Sequence, residues 1–580
     1  MTDAALGAPF DTTDPRAVRR ATIVRLATGL AQGLLLYGLH QADKSKVWPA
    51  TQLEVYGALL LVFLFAPFVV LAGVSALRWR TLAIWTAVTV LITGGLGAYA
   101  VWSGDPAARG VDGLGPQTFF AIAALVFIGH HLVQPADLER RRIARYPTYF
   151  DVTWKHGVQA VLSLGFTGAF WLLLFLAAAL FKLIGVDAIE KLIRHEAFIF
   201  PATALMFAAA VQLTDVRANL VRGVRTVALT LLAWLLPLMA LIAAAFLLTL
   251  PFTGLEPLWK TRSATAILLT ADAFLILLAN AAYQDGTETT AVVLKWAARL
   301  AGVLLVPITV LAAYGLSLRI GQYGLSPDRI IAAACVLVAA GYAVGYAVAA
   351  VRPGAWMKTL EVTNIAMAFG VIGVLLALCT PVADPRRLSV NDQVARLEAG
   401  KVKAEAFDYQ FLRFDACRFG RGALDRLKGS PNADVAERAK VAAASAARTY
   451  SPPDRPAPAP QIVFHPAGAR PPEGFLHSMT TGRRYGGCME GGETCDARLL
   501  DVTGDGRPEV LMTSGWEIEV YGVGAEGGWR KLGGFQPPCS GFDSRVAVRD
   551  GKLSAASPAV QDLASAKGPM RFVKEIEVCP

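Results

Sequence analysis

The stretch RRRIARYPTYFDVTWKHG, residues 140–157, decides the fold class. It concentrates Arg140, Arg141, Arg142, Arg145 and Lys155 between two apolar runs, 116–134 and 157–183. Each run is long enough to cross a bilayer as a helix, which needs roughly 20 apolar residues. A basic segment between two such runs is the pattern of a cytoplasmic loop in a polytopic membrane protein. We therefore read these five residues as a topology anchor, Pro147 as a helix break, and Tyr146, Tyr149, Phe150 and Trp154 as headgroup-layer aromatics. On that reading the segment lies along the inner interface ahead of the fifth span.

Working outward, the same criterion marks eleven apolar segments: 21–41, 55–77, 81–102, 116–134, 157–183, 197–213, 224–250, 263–283, 298–318, 329–351 and 361–380. Lipid offers the backbone no hydrogen bonds, so these must be helices. Composition agrees: 54% of the 580 residues are hydrophobic, 17% are charged and the mean hydropathy is +0.45. Residues 1–380 hold 28 Lys and Arg against 20 Asp and Glu, whereas residues 381–580 hold 27 against 25. The basicity thus belongs to the membrane part, where it meets lipid headgroups. No soluble basic face points to a nucleic-acid partner.

With the N-terminal segment 1–20 in the cytoplasm, 18 of those 28 cations fall on inner segments and 10 on outer ones. An odd number of spans then carries everything after residue 380 out of the cytoplasm. The expected order is a multi-span domain (21–380), an extracytoplasmic helical module (381–450), a Pro-rich linker (451–460) and a β-rich end domain (461–580). Ser389 with Asp392 suggests the start of the module's first helix. Beyond the linker, RLLDVTGDGRPEVLMTSGWEIEVYGV alternates apolar residues around Gly- and Asp-rich turns, as strands do. Five of the seven cysteines lie after residue 380. In an oxidising compartment Cys488–Cys495 and Cys539–Cys579 are the favoured pairs, with Cys417 left over; zinc is the rival reading, without a recognisable ligand spacing.

Five stretches carry a family likeness: ARYPTYFDVTWKHGVQ (144–159), NAAYQDG (280–286), RIGQYGLSPDRI (319–330), DPRRLSVNDQVARL (384–397) and FDYQFLRF (407–414). In these the chain resembles the bacterial polytopic proteins grouped as domain of unknown function family DUF4153, over roughly residues 130–430. The resemblance implies a multi-span protein of a bacterial inner membrane. It brings no catalytic residues with it, and the β-rich end lies outside it.

Candidate sites divide between membrane and tail. Asp272 is the most telling intramembrane charge, since a mid-span carboxylate costs roughly 2.5–3.5 kcal/mol on insertion scales. Asn280 lies two turns on, and with Gln212 and Asn364 completes the intramembrane polar set; its functional reading is a proton or cation relay and its structural reading is helix-to-helix glue. His130 and His131 fall at an inner boundary as interfacial residues, and Arg25 and Lys182 are expected to snorkel from span ends. In the tail, Asp501, Thr503, Asp505, Arg507 and Glu509 of DVTGDGRPE alternate oxygens like a half calcium loop, with a plain Asp/Gly turn as the alternative. No Walker loop, HExxH or GxSxG occurs. The expected function is a non-enzymatic envelope protein that senses or binds an unknown extracytoplasmic ligand or protein through its tail. The alternatives are a transporter or flippase working around Asp272, and a membrane enzyme acting on lipids.

Overall fold

The computed structural model describes residues 15–105, 114–261, 263–286, 290–445, 448, 461–476, 494–513, 515, 517–524, 528–537, 539–556, 563–565, 568–570 and 577–578. The chain divides into two compact units, Met1–Arg448 and Thr449–Pro580.

Eleven helices of the first unit are long and apolar enough to cross a membrane. They are α1 (Pro15–Ser45), α2 (Leu53–Gly73), α3 (Trp79–Ser103), α4 (Pro116–Glu139), α5 (Tyr146–Leu183), α7 (Glu196–Val216), α8 (Ala218–Thr253), α10 (Ala264–Tyr283), α11 (Val292–Tyr323), α12 (Pro327–Val351) and α13 (Thr359–Leu378). Two short helices, α6 (Ala188–Arg194) and α9 (Glu256–Lys260), lie in connections. Because successive crossings reverse direction, the start of α1 shares one end of the bundle with the connections α2–α3, α4–α5, α7–α8, α10–α11 and α12–α13. We call this the first end.

The largest apolar core joins α8, α10, α11 and α12, with Leu236, Leu275, Ala301, Leu305, Ile308 and Ala312 at its centre. Small residues let these backbones approach where lipid supplies no hydrophobic drive between helices. Another close contact of this kind lies between α1 and α7. A Cβ built on Gly33 would stand 2.5 Å from the Pro201 Cα, and one on Gly29 2.8 Å from the Ala204 carbonyl oxygen. GLAQG (29–33) is thus a close-packing face of the GxxxG kind.

Three expectations fail locally. α5 begins at Tyr146, so residues 146–157 are the first turns of the fifth span and not an interfacial segment ahead of it. Pro147 does not break this helix; it sits in the first turn, where its missing N–H has no partner to lose and its fixed φ suits the helix. The helix after the last span, α14 (Pro385–Glu398), starts at Pro385 and not near Ser389. Its cap is Asp384, whose carboxylate accepts from Arg386 N at 2.8 Å and Arg387 N at 3.2 Å. Ser389 instead donates to the Leu325 carbonyl, 3.0 Å away. The expected start of α12 holds, with Ser326 as cap and Pro327 in the first turn.

The module that follows contains α14, a π-helical turn at Phe411–Asp415, α15 (Cys417–Leu427) and α16 (Ala433–Ala444), closed around Leu412, Leu424 and Ala439. It docks on the second end of the bundle. Asp392 accepts from Leu325 N at 2.7 Å, Tyr99 donates to Asp384 at 2.8 Å, and Arg421 pairs with Asp105 at 2.6 Å.

The second unit holds a five-stranded sheet in the order β1 (Gln461–His465), β2 (Thr494–Leu500), β3 (Glu509–Thr513), β4 (Ile518–Val523) and β5 (Trp529–Phe535). β1 runs parallel to β2 and the remaining pairs are antiparallel. β3 is buried along its whole length because both faces are covered. Val510 and Met512 pack with Phe475 and Tyr521, while Leu511 packs with Val548 of α17 (Ser544–Asp550).

On β2, Asp496 is buried and accepts from His465 Nε2 at 2.8 Å, Arg545 Nε at 2.9 Å and Arg549 Nη2 at 2.9 Å. Burial alone would raise its pKa. The hydrogen bonds from Arg549, His465 and Arg545 outweigh that and hold the carboxyl at about 2. A carboxylate stabilised in the folded state supports folding above its unfolded value of about 3.9 and loses that support as pH falls toward 2. Asp496→Asn should therefore weaken β2 and α17 at pH 6 by on the order of 1–2 kcal/mol, discounted for the partly exposed arginines. Hydrogen exchange of β2 peptides in the full-length protein checks this: the gap between variant and wild type should close between pH 4 and about pH 2. A gap independent of pH would mean that the charge of Asp496 does not contribute.

A candidate site in the polar layer at the first end

A layer of buried polar side chains lies toward the first end of the bundle, and α5 runs through it. Every polar group at this depth needs a partner inside the protein, because lipid provides none. The partners come from distant segments, in three connected groups.

The first group surrounds Arg25. This residue is 1% exposed and does not reach the bundle surface, so the snorkelling expectation is wrong for it. Its guanidinium donates to Leu71 O at 2.9 Å, Gln212 Oε1 at 2.6 Å, Ser75 Oγ at 2.8 Å and Asp215 Oδ2 at 2.8 Å. Lys155 of α5 pairs with the other oxygen of Asp215 at 2.9 Å. Gln212 passes the chain on to Thr22 at 2.8 Å. Arginine suits this position because its planar fork can satisfy several acceptors at once. Lys182, by contrast, is exposed and pairs with Glu190 at 2.9 Å.

The second group contains three buried histidines. His130 and His131 are 4% and 6% exposed, so they are interior residues and not interfacial ones. His131 Nδ1 lies 2.6 Å from the Phe127 carbonyl and His131 Nε2 lies 3.0 Å from His156 Nδ1. A carbonyl only accepts, which assigns the proton of neutral His131 to Nδ1 and makes its Nε2 the acceptor of a bond from His156 Nδ1. His130 Nε2 meets Gln134 Oε1 at 2.9 Å. Among the described residues no three His, Cys, Asp or Glu converge in a way that would hold a metal ion.

The third group ties four helices together. Tyr146 of α5 donates to Asn280 Oδ1 at 3.2 Å, and Asn280 Nδ2 donates to the Tyr346 hydroxyl at 2.6 Å. Tyr346 donates to Asn364 Oδ1 at 2.9 Å, and Asn364 Nδ2 returns to Asn280 Oδ1 at 2.6 Å and Tyr146 Oη at 3.2 Å. Beside this ring Tyr283 donates to Glu361 at 2.8 Å.

The second and third groups border one cavity of about 330 Å3 between α4, α5, α10 and α13. Phe127, Tyr149, Phe150, Trp154, Leu277 and Ile365 give it apolar and aromatic walls, while His131, Asn280 and Asn364 supply its polar side. That size and balance match ordinary small-molecule sites, which run from roughly 300 to 1,000 Å3 with few polar groups.

The expected intramembrane set is therefore divided. Asn280 and Asn364 are bonded to each other, and Gln212 belongs to the Arg25 group. Asp272, 1% exposed, receives one bond from Thr309 at 2.8 Å; its Oδ1 has no hydrogen-bond partner. Asp272 is not part of the cavity wall, so it and Asn280 do not form one site. The topology anchor is divided as well. Lys155 is spent on Asp215 and Arg145 on Glu139, whereas Arg140, Arg141 and Arg142 are exposed. Tyr346 and Arg25 went unnoticed as site residues. Nothing in GYAVGYAV marks one tyrosine as a hub, and a lone Arg near a helix start reads equally well as an anchor.

In the tail, Asp501 accepts from Gly504 N at 2.7 Å and Gly506 N at 2.9 Å, and Asp505 accepts from Arg507 N at 2.8 Å. Glu509 accepts from Val502 N at 2.9 Å and Thr503 Oγ1 at 3.1 Å. These oxygens satisfy the loop's own backbone, with Gly504 and Gly506 in the left-handed region, which is the Asp/Gly turn geometry. Cys488 and Cys579 lie outside the described residues.

Fold and polar layer together define a multi-pass membrane protein with a small β-rich end domain. The chain belongs to the family described as domain of unknown function (DUF4153), whose model matches residues 55–422. No curated protein and no solved structure matches the chain.

Proposed function

We propose that the bundle is a binding protein for a hydrophobic or amphiphilic molecule taken from the membrane. The cavity between α4, α5, α10 and α13 carries this reading: its aromatic and aliphatic walls receive an apolar body. The site lies in the bundle and not in the tail, which departs from the tail-binding expectation. Filling the cavity tests it. Ala368→Trp should keep the wild-type melting temperature and reduce the hydrophobic ligand retained through detergent exchange by roughly tenfold, or about 1.4 kcal/mol. Organic extraction and mass spectrometry read the retained ligand, and equal amounts in both proteins would overturn the proposal.

The orientation we propose places the first end in the cytoplasm and the tail outside it, in a bacterial inner membrane. Its support is the concentration of 18 of 28 cations on first-end segments together with an odd span number. An extracytoplasmic reporter fused after residue 385 should be active, and one placed at residue 143 should be silent. A disulfide-braced tail fits that side. Cys495 and Cys539 are disulfide-bonded cysteines, and the short strand Cys539–Ser540 pairs with Glu577–Val578, which precedes Cys579 in the sequence. For the Asp501–Glu509 loop the self-capped turn is the better reading than calcium, since the turn already employs the carboxylates.

A further inference from the structure

We infer that the molecule bound in this cavity is an anionic phospholipid, whose acyl chain enters between α4 and α5 and whose phosphate is held by Arg140, Arg141 and Arg142. The inference rests on the binding proposal above and names its ligand class. The two helices that form the cavity's aromatic walls are joined by the short connection 140–145, so those arginines stand at its rim. The connection is not loose. Tyr149, a wall residue, accepts from Ala144 N at 3.0 Å, and Glu139 accepts from Arg145 N at 3.1 Å.

Charge then decides the headgroup. At the first end of the cavity's four helices the carboxylates are Asp137, Glu139, Asp285 and Glu361; Asp137 pairs with Arg78, Glu139 with Arg145 and Glu361 with Lys358. On the neighbouring turns of α5, Asp151 is held by Arg225 at 2.8 Å, and Asp215 of α7 by Arg25 and Lys155. Arg140, Arg141 and Arg142 are exposed without an ion-pair partner among the described residues, so the connection carries a local excess of cations. Ile143, 56% exposed between them and the buried Ala144, places apolar surface beside the cations, as a headgroup boundary requires. A headgroup with a compensating ammonium would leave this excess unmatched. A phosphodiester of the phosphatidylglycerol or cardiolipin class neutralises it, and basic pockets between membrane helices are known to take such lipids.

The test uses the full-length protein in nanodiscs made from an equimolar mixture of phosphatidylglycerol and phosphatidylcholine, with native mass spectrometry of the retained lipid after release into detergent. Wild-type protein should retain phosphatidylglycerol over phosphatidylcholine, and the preference should weaken with salt as exposed charge pairs are screened. Combined Arg140→Gln, Arg141→Gln and Arg142→Gln should lower that preference on the order of 100-fold, from about 1 kcal/mol per cation near a charged headgroup. Because that variant can disturb topology, Ala368→Trp provides a second arm that leaves the arginines in place, and it should lower retention of both lipids about tenfold. Equal retention of the two lipids by wild type, lowered by Ala368→Trp, would overturn the anionic assignment and leave the binding proposal standing. Retention unaffected by Ala368→Trp would overturn both.

Discussion

Replacing Arg25 with methionine is expected to lower the stability of the membrane domain by about 3–5 kcal/mol, the usual cost of removing one partner from a buried charge pair. The side chain serves four acceptors on α2, the α2–α3 connection and α7. Its loss leaves the Leu71 carbonyl, Gln212 and Ser75 without their donor, and Asp215 with Lys155 as its one cation beside the Ser75 hydroxyl. The cost therefore comes from groups left unpaired, more than from lost attraction. Arg25→Met together with Asp215→Leu should recover much of the loss, because the double variant no longer buries a half-matched carboxylate. Lys155, partly exposed, can then extend toward the headgroups. Thermal unfolding in detergent checks both halves. A single variant that melts like wild type would show that the network does not hold α1 to α7.

The second large effect is expected at Asn364. Its amide makes three bonds to Tyr146, Asn280 and Tyr346, on three other helices. Interhelical hydrogen bonds in membranes average about 0.6 kcal/mol and reach about 1.7. Asn364→Leu should therefore cost about 2–4 kcal/mol, the upper part coming from Asn280 and two hydroxyls left unsatisfied in a buried ring. Tyr346→Phe breaks the same ring from the opposite side, and Tyr346 is completely buried. Since the two changes strip shared partners, the double variant should cost clearly less than the sum of the singles. Melting of the four proteins in a cycle measures the coupling. Strict additivity would mean that the ring is a set of independent contacts.

The site was partly legible in advance. ARYPTYFDVTWKHGVQ and NAAYQDG were singled out as stretches, and the structure brings them together through Tyr146 and Asn280, with Tyr283 alongside. What no pattern showed was the pairing. Asp272 and Asn280 share a helix and a similar angular position, yet eight residues of helix separate them by about 12 Å along the axis. Asn280 faces the ring, and Asp272 faces Thr309 on α11. In sequence His130 and His131 fall at an inner boundary, close to the end of the apolar run 116–134. The helix continues to Glu139, however, which carries both rings into the interior.

The sequence by itself determined the class of protein. Eleven apolar segments, each needing its own backbone hydrogen bonds, had to become helices, and eleven helices long and apolar enough to cross a membrane are found among the described residues. The change to alternating patterns after the Pro-rich linker likewise announced the sheet of the second unit. Only the tertiary structure decided what the arginines and the Asn and Tyr side chains do. Hydropathy depends on each residue and its near neighbours, whereas a buried polar group is defined by partners far along the chain, as with Asn364 and Tyr146, 218 positions apart. Arg25 is an internal clasp and Arg141 an exposed cation for this reason. In sequence both are charges near the end of an apolar run; in the fold one faces Asp215 and the other faces out of the protein.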